Sequence, residues 1–451
     1  MKIIVIGCGK IGKTIIEHVS KEGHSLVIVD NNREKVEELI ERYDVMGVVG
    51  NGASLDIQEE AGVKSADLVI AVTPEDEINI LASMVAKKLG ASSTIARVRN
   101  PEYLRQTKLM QEELGLSMVV NPEQETADEI INMVNLPSLL KLEPFAKGKV
   151  NLVEILVEEN NPLIGETLIT MSKKIKTKVL ICAIQRASHV IIPNGNFKIE
   201  QGDRLSITAN ASSLVTFLKE LNLIKSPLKN IMIIGGGKIS YYLAKELSNK
   251  KYHIKLIEMN KNRAEEMAEA LPKVDVICGD GTDHDLLIEE GIEASDACIA
   301  LTNVDEENII VSMYATRLKI KKVIAKIKRN SFLTMVNDLV IASIVSPKDI
   351  VASKIISYIR ALSNKRGSNV LTLYKLVNNQ VEALEFDAKK KEKFYNKPLK
   401  DLNIKENCLI ACIIRDGNVL IPSGNDCIQL NDRVLVVTTH QQFDDLMDAF
   451  E

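Results

Sequence analysis

The chain has 451 residues, 45% of them apolar and 26% charged, with a net charge of −4 at neutral pH. That length exceeds what one core organises, so several domains are expected, and the charge balance gives no general attraction to nucleic acid or anionic lipid. No apolar run approaches the ~18 residues that span a bilayer, and the chain enters a strand-like run at once, without a signal-peptide pattern.

In chain order, KIIVIG reads as a strand, IGKTIIEHVSKEG as a helix and SLVIVD as a second strand. EKVEELIERY is helical, VMGVVG a third strand, DIQEEAG a short helix and DLVIAVT a fourth strand. INILASMVAKKLG forms an amphipathic helix, and TIARVR closes the unit as a fifth strand. This alternation predicts a parallel, doubly wound sheet covered by helices on both faces. A helical stretch follows from Glu123 to Asn135. Then come the short strands VNLVEILVE, KVLICAIQR, SHVIIPNG and DRLSITAN, closed by the helix SLVTFLKELN. Those features predict a compact α+β module.

The whole plan then repeats. IIVIGCGKIGKTIIEHVSKEGHSLVIVD at 3–30 returns as IMIIGGGKISYYLAKELSNKKYHIKLIE at 231–258. GNGA at 50–53 is answered by GDGT at 279–282, and DLVIAVTPEDEINI at 67–80 by DACIALTNVDEENI at 296–309. A helix over Asp349 to Ala361 mirrors the first. The second small module reads VLTLYKLV, CLIACIIRDG, NVLIPSG and DRVLVVTT, closed by a helix over QQFDDLMDAF. The expected division is 1–137 (N1), 138–225 (C1), 226–364 (N2) and 365–451 (C2), with Lys225-Ser226-Pro227 at the joint between halves, because proline disfavours helix before it. Two copies of one ligand-binding plan suggest a paired sensor more than a paired catalyst.

The chemistry concentrates at GCGKIG, directly after a strand and opening a helix. Gly7 permits the tight turn, Gly9 lets backbone approach a pyrophosphate, and Gly12 lets helix and strand pack closely. Cys8, Lys10 and Ile11 complete the turn, whose helix N-terminus offers free N–H groups to phosphate. Asp30 ends the second strand, where a carboxylate accepts ribose hydroxyls and repels a 2′-phosphate, favouring NAD over NADP. The signal does not choose NAD over ATP, ADP or AMP. In the second copy Gly235, Gly236, Gly237, Lys238 and Ile239 form the turn and Glu258 supplies the acid. Ser240 replaces the third glycine, so weakened binding or an empty second site is open.

Thr73 and Thr302 end the fourth strands, at the carboxyl edge where ligands lie, and Asn51 and Asp280 follow the third strands within reach of adenine or ribose. Arg97 and Arg99 flank the fifth strand, within guanidinium reach of a phosphate. Their counterparts Lys326 and Lys328 keep the charge without the fork. Solvated surface charge is the other open reading for these four.

Seven cysteines are present and no CxxC pair. Cys182, Cys278, Cys298 and Cys412 have apolar strand-like neighbours and read as buried thiols in a reducing compartment. A NAD-dependent oxidoreductase would need an acid or base beside the nicotinamide. His18, His24, His189, His253, His284 and His440 recur at no matching place in the two halves. A redox-sensing transcription regulator would need a basic recognition helix, and the basic stretch KIKKVIAKIKR at 319–329 reads better as a solvated edge.

These residues in this order resemble the TrkA family of potassium-uptake regulatory subunits. The resemblance spans essentially the whole chain: the KIIVIGCGKIG opening, the GNG and GDG turns, TPEDEINI and TNVDEENI, ARVRNPEY, and two small modules with GDR and NDR turns. It implies Rossmann-like units with C-terminal-type modules, in a cytoplasmic protein peripheral to the inner face of the membrane. It further implies a homo-oligomeric ring beneath a potassium-conducting subunit of the TrkH or TrkG kind. NAD or NADH, and ATP or ADP, would bind and gate transport without catalysis. Carried over by position, the first site is Gly7, Cys8, Gly9, Lys10, Ile11, Asp30, Thr73, Pro74 and Arg97. The second is Gly235, Gly236, Gly237, Lys238, Ile239, Glu258, Asp280, Thr302, Asn303 and Lys326.

Overall fold

The structure is a computed structural model. It describes residues 1–135, 141–145, 150–187, 189–221, 228–250, 252–329, 331–332, 343–364, 370–376, 381–389, 392, 394–439, 443 and 445–451. The expected boundaries at 137/138, 225/226 and 364/365, the Lys225-Ser226-Pro227 joint and His440 fall wholly or partly outside them. The described residues form two compact units. One comprises Met1–Ile130, Asn230–Lys319 and Val323–Ile359, and the other Ile131–Lys229, Ile320–Lys322 and Arg360–Glu451.

The first unit holds two parallel sheets of the same design. Strands β1 (Lys2–Ile6), β2 (Ser25–Asp30), β3 (Met46–Val49), β4 (Leu68–Ala71), β5 (Ser93–Arg97) and β6 (Met118–Val120) assemble in the order β3-β2-β1-β4-β5-β6. Their inner strands are unbroken apolar runs because helices cover both faces. Ile4, Ile6, Val27, Val29, Val69 and Ala71 pack one side against Ala82 and Ala86 of helix Asp76–Leu89. In the second copy, β12 (Asn230–Ile234), β13 (His253–Glu258), β14 (Asp275–Cys278), β15 (Ala297–Ala300), β16 (Lys322–Lys326) and β17 (Ser343–Val345) follow the order β14-β13-β12-β15-β16-β17. The strand order reverses beside β1 and β12, which places a ligand crevice at the carboxyl end of each sheet.

The second unit holds two mainly antiparallel sheets. One runs β10-β9-β11-β8-β7, from β7 (Lys141–Phe145), β8 (Val150–Leu156), β9 (Leu180–Arg186), β10 (His189–Ile191) and β11 (Arg204–Ala209). The other runs β18-β19-β22-β20-β21, from β18 (Val370–Leu376), β19 (Val381–Asp387), β20 (Cys408–Arg415), β21 (Asn418–Leu420) and β22 (Arg433–Thr438). They share one apolar layer, with Val150, Leu152, Cys182 and Ala183 against Val381, Ala383, Cys412 and Val437. The GDR and NDR turns exist for a duplicated ion pair. Asp203 is fully buried and accepts Arg186 Nε at 2.8 Å, and Asp432 accepts Arg415 Nε at 2.9 Å. A buried carboxylate needs such a bidentate partner to stay charged.

Several expectations change. The parallel sheets have a sixth strand, β6 and β17, too short at three residues for alternation to register. The repeat of the small modules shifts register: VNLVEILVE is matched by β19, which holds the same place in its sheet, and VLTLYKLV is matched by β7. The described part of the last segment forms a 3-10 turn, Leu446–Ala449, capped by Asp445, where a full helix was expected. Cys182, Cys298 and Cys412 are buried, but Cys278 is exposed because β14 is an edge strand with only one neighbour. The stretch at 319–329 is not a solvated edge, since Lys322 and Lys326 are buried at 2% and 5% exposure.

Candidate functional site

The two glycine turns have the same backbone. Gly7 and Gly235 sit at φ +101° and +98°, and a Cβ at either would lie about 3 Å from the backbone of Thr73 or Thr302. At Gly9 and Gly237 a Cβ would meet nothing, so both positions are open to a ligand. Each of these glycines caps a helix, Lys10–Val19 or Lys238–Ser248, with no side-chain cap and no acid in the first turn. The helix N–H groups are thereby left available for an anion. Gly12 packs so closely that a Cβ would stand 1.9 Å from the Gly7 carbonyl oxygen. At the equivalent position Ser240 is buried, and its hydroxyl donates to the Gly235 carbonyl at 2.5 Å. Serine therefore ties its turn together with a hydrogen bond.

The acids after β2 and β13 brace these turns. Asp30 accepts the Cys8 N–H at 2.7 Å and the Asn32 N–H at 2.9 Å on separate oxygens. Glu258 repeats this with the N–H groups of Gly236 at 2.5 Å and Asn260 at 2.8 Å. Each oxygen retains acceptor capacity for a ribose hydroxyl. Glutamate is one methylene longer, and the room comes from Gly236, where a Cβ would come within 2.9 Å of the Glu258 carboxylate. Cys8 fills that space in the first copy. Burial, with the charge of Asp30 adding to it, pushes the Cys8 thiol up to about 12, so it stays protonated.

Two residues of the TPEDEINI stretch escaped the sequence reading and hold the sheet edge in both copies. Asn79 is fully buried; its Oδ1 accepts the Thr73 N–H and hydroxyl, and its Nδ2 donates to the carbonyls of Thr73 and Arg97. Asn308 accepts the Thr302 N–H and donates to the carbonyls of Thr302 and Lys326. Asp76 accepts the N–H groups of Arg99 and Asn100, as Asp305 accepts those of Lys328 and Arg329. The signal was present, since D-x-x-N recurs identically at 76–79 and 305–308. Asn51 and Asp280 are exposed and organise their own turns, bonding the N–H groups of Ala53 and Thr282.

The two halves meet in one cavity of about 950 Å³. Gly9, Lys10, Ile11, Pro74 and Arg97 line it from the first half, and Gly237, Lys238, Ile239, Asn303 and Lys326 from the second. The other expected residues, Gly7, Cys8, Gly12, Asp30, Asn51, Thr73, Gly235, Gly236, Glu258, Asp280 and Thr302, are not part of its lining. Arg99, Arg263, Lys328 and Lys348 bring further positive charge, against the two carboxylates Glu123 and Glu266. Both carboxylates are taken: Arg99 Nε donates to Glu123 at 2.7 Å and Arg263 Nη1 to Glu266 at 2.8 Å. Lys10, Arg97, Lys238, Lys326 and Lys328 line the space as well, so the cations there outnumber the carboxylates.

That excess is felt electrostatically. Burial lowers Arg97, with Arg99 adding to the effect, and its Nε and Nη2 are buried without a hydrogen-bond partner. Burial likewise pushes Lys326 down to about 8, with Lys328 adding to it and Asp305 and Glu123 opposing; its Nζ donates to the Leu301 carbonyl at 2.9 Å. Lys328 is lowered by burial and, from the other half, by Lys10. These groups are not solvated surface charges. The arrangement is chemically an electropositive cavity wall.

Comparison with known proteins finds the same two-part plan twice along the chain. The TrkA-N domain model matches residues 3–122 and 231–347, and the TrkA-C domain model matches 152–222 and 384–451. The chain is 33% identical over 449 residues to a Trk system potassium uptake protein TrkA of Vibrio alginolyticus, covering 98% of this chain and 97% of that protein. It is 30% identical over 440 residues to the TrkA of Haemophilus influenzae, covering 97% and 95%. Among solved structures, the GsuK channel bound to NAD aligns with a TM-score of 0.63 at 18% identity, covering 97% of this chain and 76% of that one. At that identity the likeness concerns the fold.

Proposed function

This chain belongs to the TrkA family of potassium-uptake proteins, and from that premise we propose that it is the nucleotide-responsive regulatory subunit of a Trk-type potassium transporter. It binds NAD or NADH, and ATP or ADP, at the two glycine turns, and the bound phosphates set the conformation of the protein. The observation that carries this reading is the cavity in which both turns meet an excess of cations, with two nitrogens of Arg97 buried and unpartnered.

No chemistry on the ligand is required. None of the described histidines lines the cavity, and Cys8 is held protonated. The residues act by binding: Gly9, Lys10, Ile11, Gly237, Lys238 and Ile239 present backbone and charge to phosphate. Asp30 and Glu258 hold ribose, Arg97 and Lys326 neutralise, and Pro74 and Asn303 border the space. A nucleotide shifts a conformational equilibrium only through different affinity for the two states. A tenfold bias needs about 1.4 kcal/mol, which one charge-assisted contact supplies. The subunit acts as a homo-oligomeric ring on the inner face of the membrane, under a partner of the TrkH or TrkG type. Among the described residues no helix is long and apolar enough to cross a membrane, so that partner supplies the pore.

Potassium flux through the reconstituted complex should respond to NADH, NAD, ATP or ADP. Flux indifferent to all four defeats the proposal. Asp30→Ala should weaken nucleotide binding about tenfold by calorimetry, consistent with losing a charged hydrogen-bond acceptor, and unchanged affinity removes Asp30 as the ribose ligand.

A further inference from the structure

Two Rossmann-like sites ordinarily hold two ligands in separate crevices. Here the phosphate-binding end of each turn, Gly9 with Lys10 and Gly237 with Lys238, opens into the same cavity. The charges of the halves are close enough to act on each other: Lys10 bears on Lys328, and Glu123 on Lys326. The two phosphate tracks therefore converge. Behind each turn stands a carboxylate with acceptor capacity left for a ribose, Asp30 on one side and Glu258 on the other.

A receptor with a nucleoside seat at each end and a cationic channel between them matches one chemical class. We propose that a single α,ω-dinucleoside oligophosphate, two nucleosides joined through their 5′ positions by a chain of phosphates, spans both halves of the chain. The proposal rests on the nucleotide-binding reading above and adds that one molecule occupies both turns. Separate nucleotides would bring two clusters of terminal phosphate charge together in one space. Joining them in one chain removes that repulsion and makes the second binding event intramolecular, at an effective concentration in the millimolar range.

The test uses the full chain with P1,P4-di(adenosine-5′) tetraphosphate and ADP as probes, by native mass spectrometry and calorimetry. One tetraphosphate per chain is expected, bound at least tenfold more tightly than ADP. Lys10 and Lys238 are exposed, so Lys10→Ala and Lys238→Ala should fold normally, which circular dichroism verifies. Each alone should weaken the tetraphosphate tenfold or more, whereas ADP should be lost only at the substituted turn. Two tetraphosphates per chain, or one that responds to only one substitution, overturns the bridge while leaving two-site nucleotide binding standing. Failure of ADP and NAD to bind at all defeats the underlying reading as well.

Discussion

Lys326 offers the sharpest quantitative test, because its charge is buried in the cavity wall at 5% exposure. Its ordinary value of 10.5 falls to about 8 in the folded protein, chiefly through burial, with Lys328 adding to it and Asp305 and Glu123 opposing. Below pH 8 both folded and unfolded states carry the proton, and the folded state bears a cost of about 3 kcal/mol from that difference. Between pH 8 and 10.5 the folded lysine is neutral while the unfolded one is still charged, so stability rises with pH. Above 10.5 the cost is gone. Lys326→Met keeps an unbranched side chain one atom shorter and removes the titration. The loss of its bond to the Leu301 carbonyl offsets the variant by an amount nearly independent of pH. Urea midpoints of the ligand-free proteins at pH 7 and 9 should show the wild type gaining about 1 kcal/mol on the variant. A bound phosphate restores the ammonium, so ADP binding near pH 8.5 should take up more proton in the wild type than in the variant, seen as buffer-dependent enthalpy. Parallel pH profiles for the two proteins would refute the argument.

Asn308→Ala removes the brace between the Thr302 loop and β16 and leaves buried backbone groups unpaired, at a cost of about 3 kcal/mol; a urea midpoint unchanged from wild type contradicts that role. Gly236→Cys should crowd the Glu258 carboxylate and destabilise by about 1–3 kcal/mol, and Glu258→Asp in the same chain should recover more than half. Additive losses in that double variant would show that Cys8 and Gly236 do not compensate for the length of their acids. Lys348→Glu should lower ADP affinity by about tenfold, the value of one charge-assisted contact, with a weaker dependence on salt; equal affinity at low ionic strength counts against a charge-driven site.

The sequence made the fold legible because its signals were long and repeated. Inner strands of the parallel sheets are uninterrupted apolar runs, and each helix between them carries its own apolar stripe. The turns were legible for a different reason, since glycine at positive φ leaves no alternative residue. What escaped was short or cooperative. Three-residue strands such as Met118–Val120 have too few positions for a pattern. The burial of Lys326 depends on the place of β16 between β15 and β17, which no local window contains. Asp30 illustrates the same gap: its place after β2 suggested ribose, but its bond to the Cys8 N–H makes it a brace of the turn as well.

The two halves are alike in bracing and unlike in charge, and the contrast separates architecture from ligand. Wherever the backbone takes the same path the same bonds recur, as in Asn79 and Asn308, Asp76 and Asp305, Asp30 and Glu258. The charges that line the cavity are where the copies diverge. The helix after β6 begins Pro122-Glu123 and places a carboxylate on Arg99, whereas the helix after β17 begins Pro347-Lys348 and brings a lysine to the cavity lining at that position. Each half carries one paired counter-charge at the cavity, Glu123 on Arg99 and Glu266 on Arg263. Ser240 holds its turn through a hydrogen bond, so the missing glycine is no sign of a dead site. That bond, with the open position at Gly237 and the uncapped helix behind it, leaves the second turn as well built for a phosphate as the first.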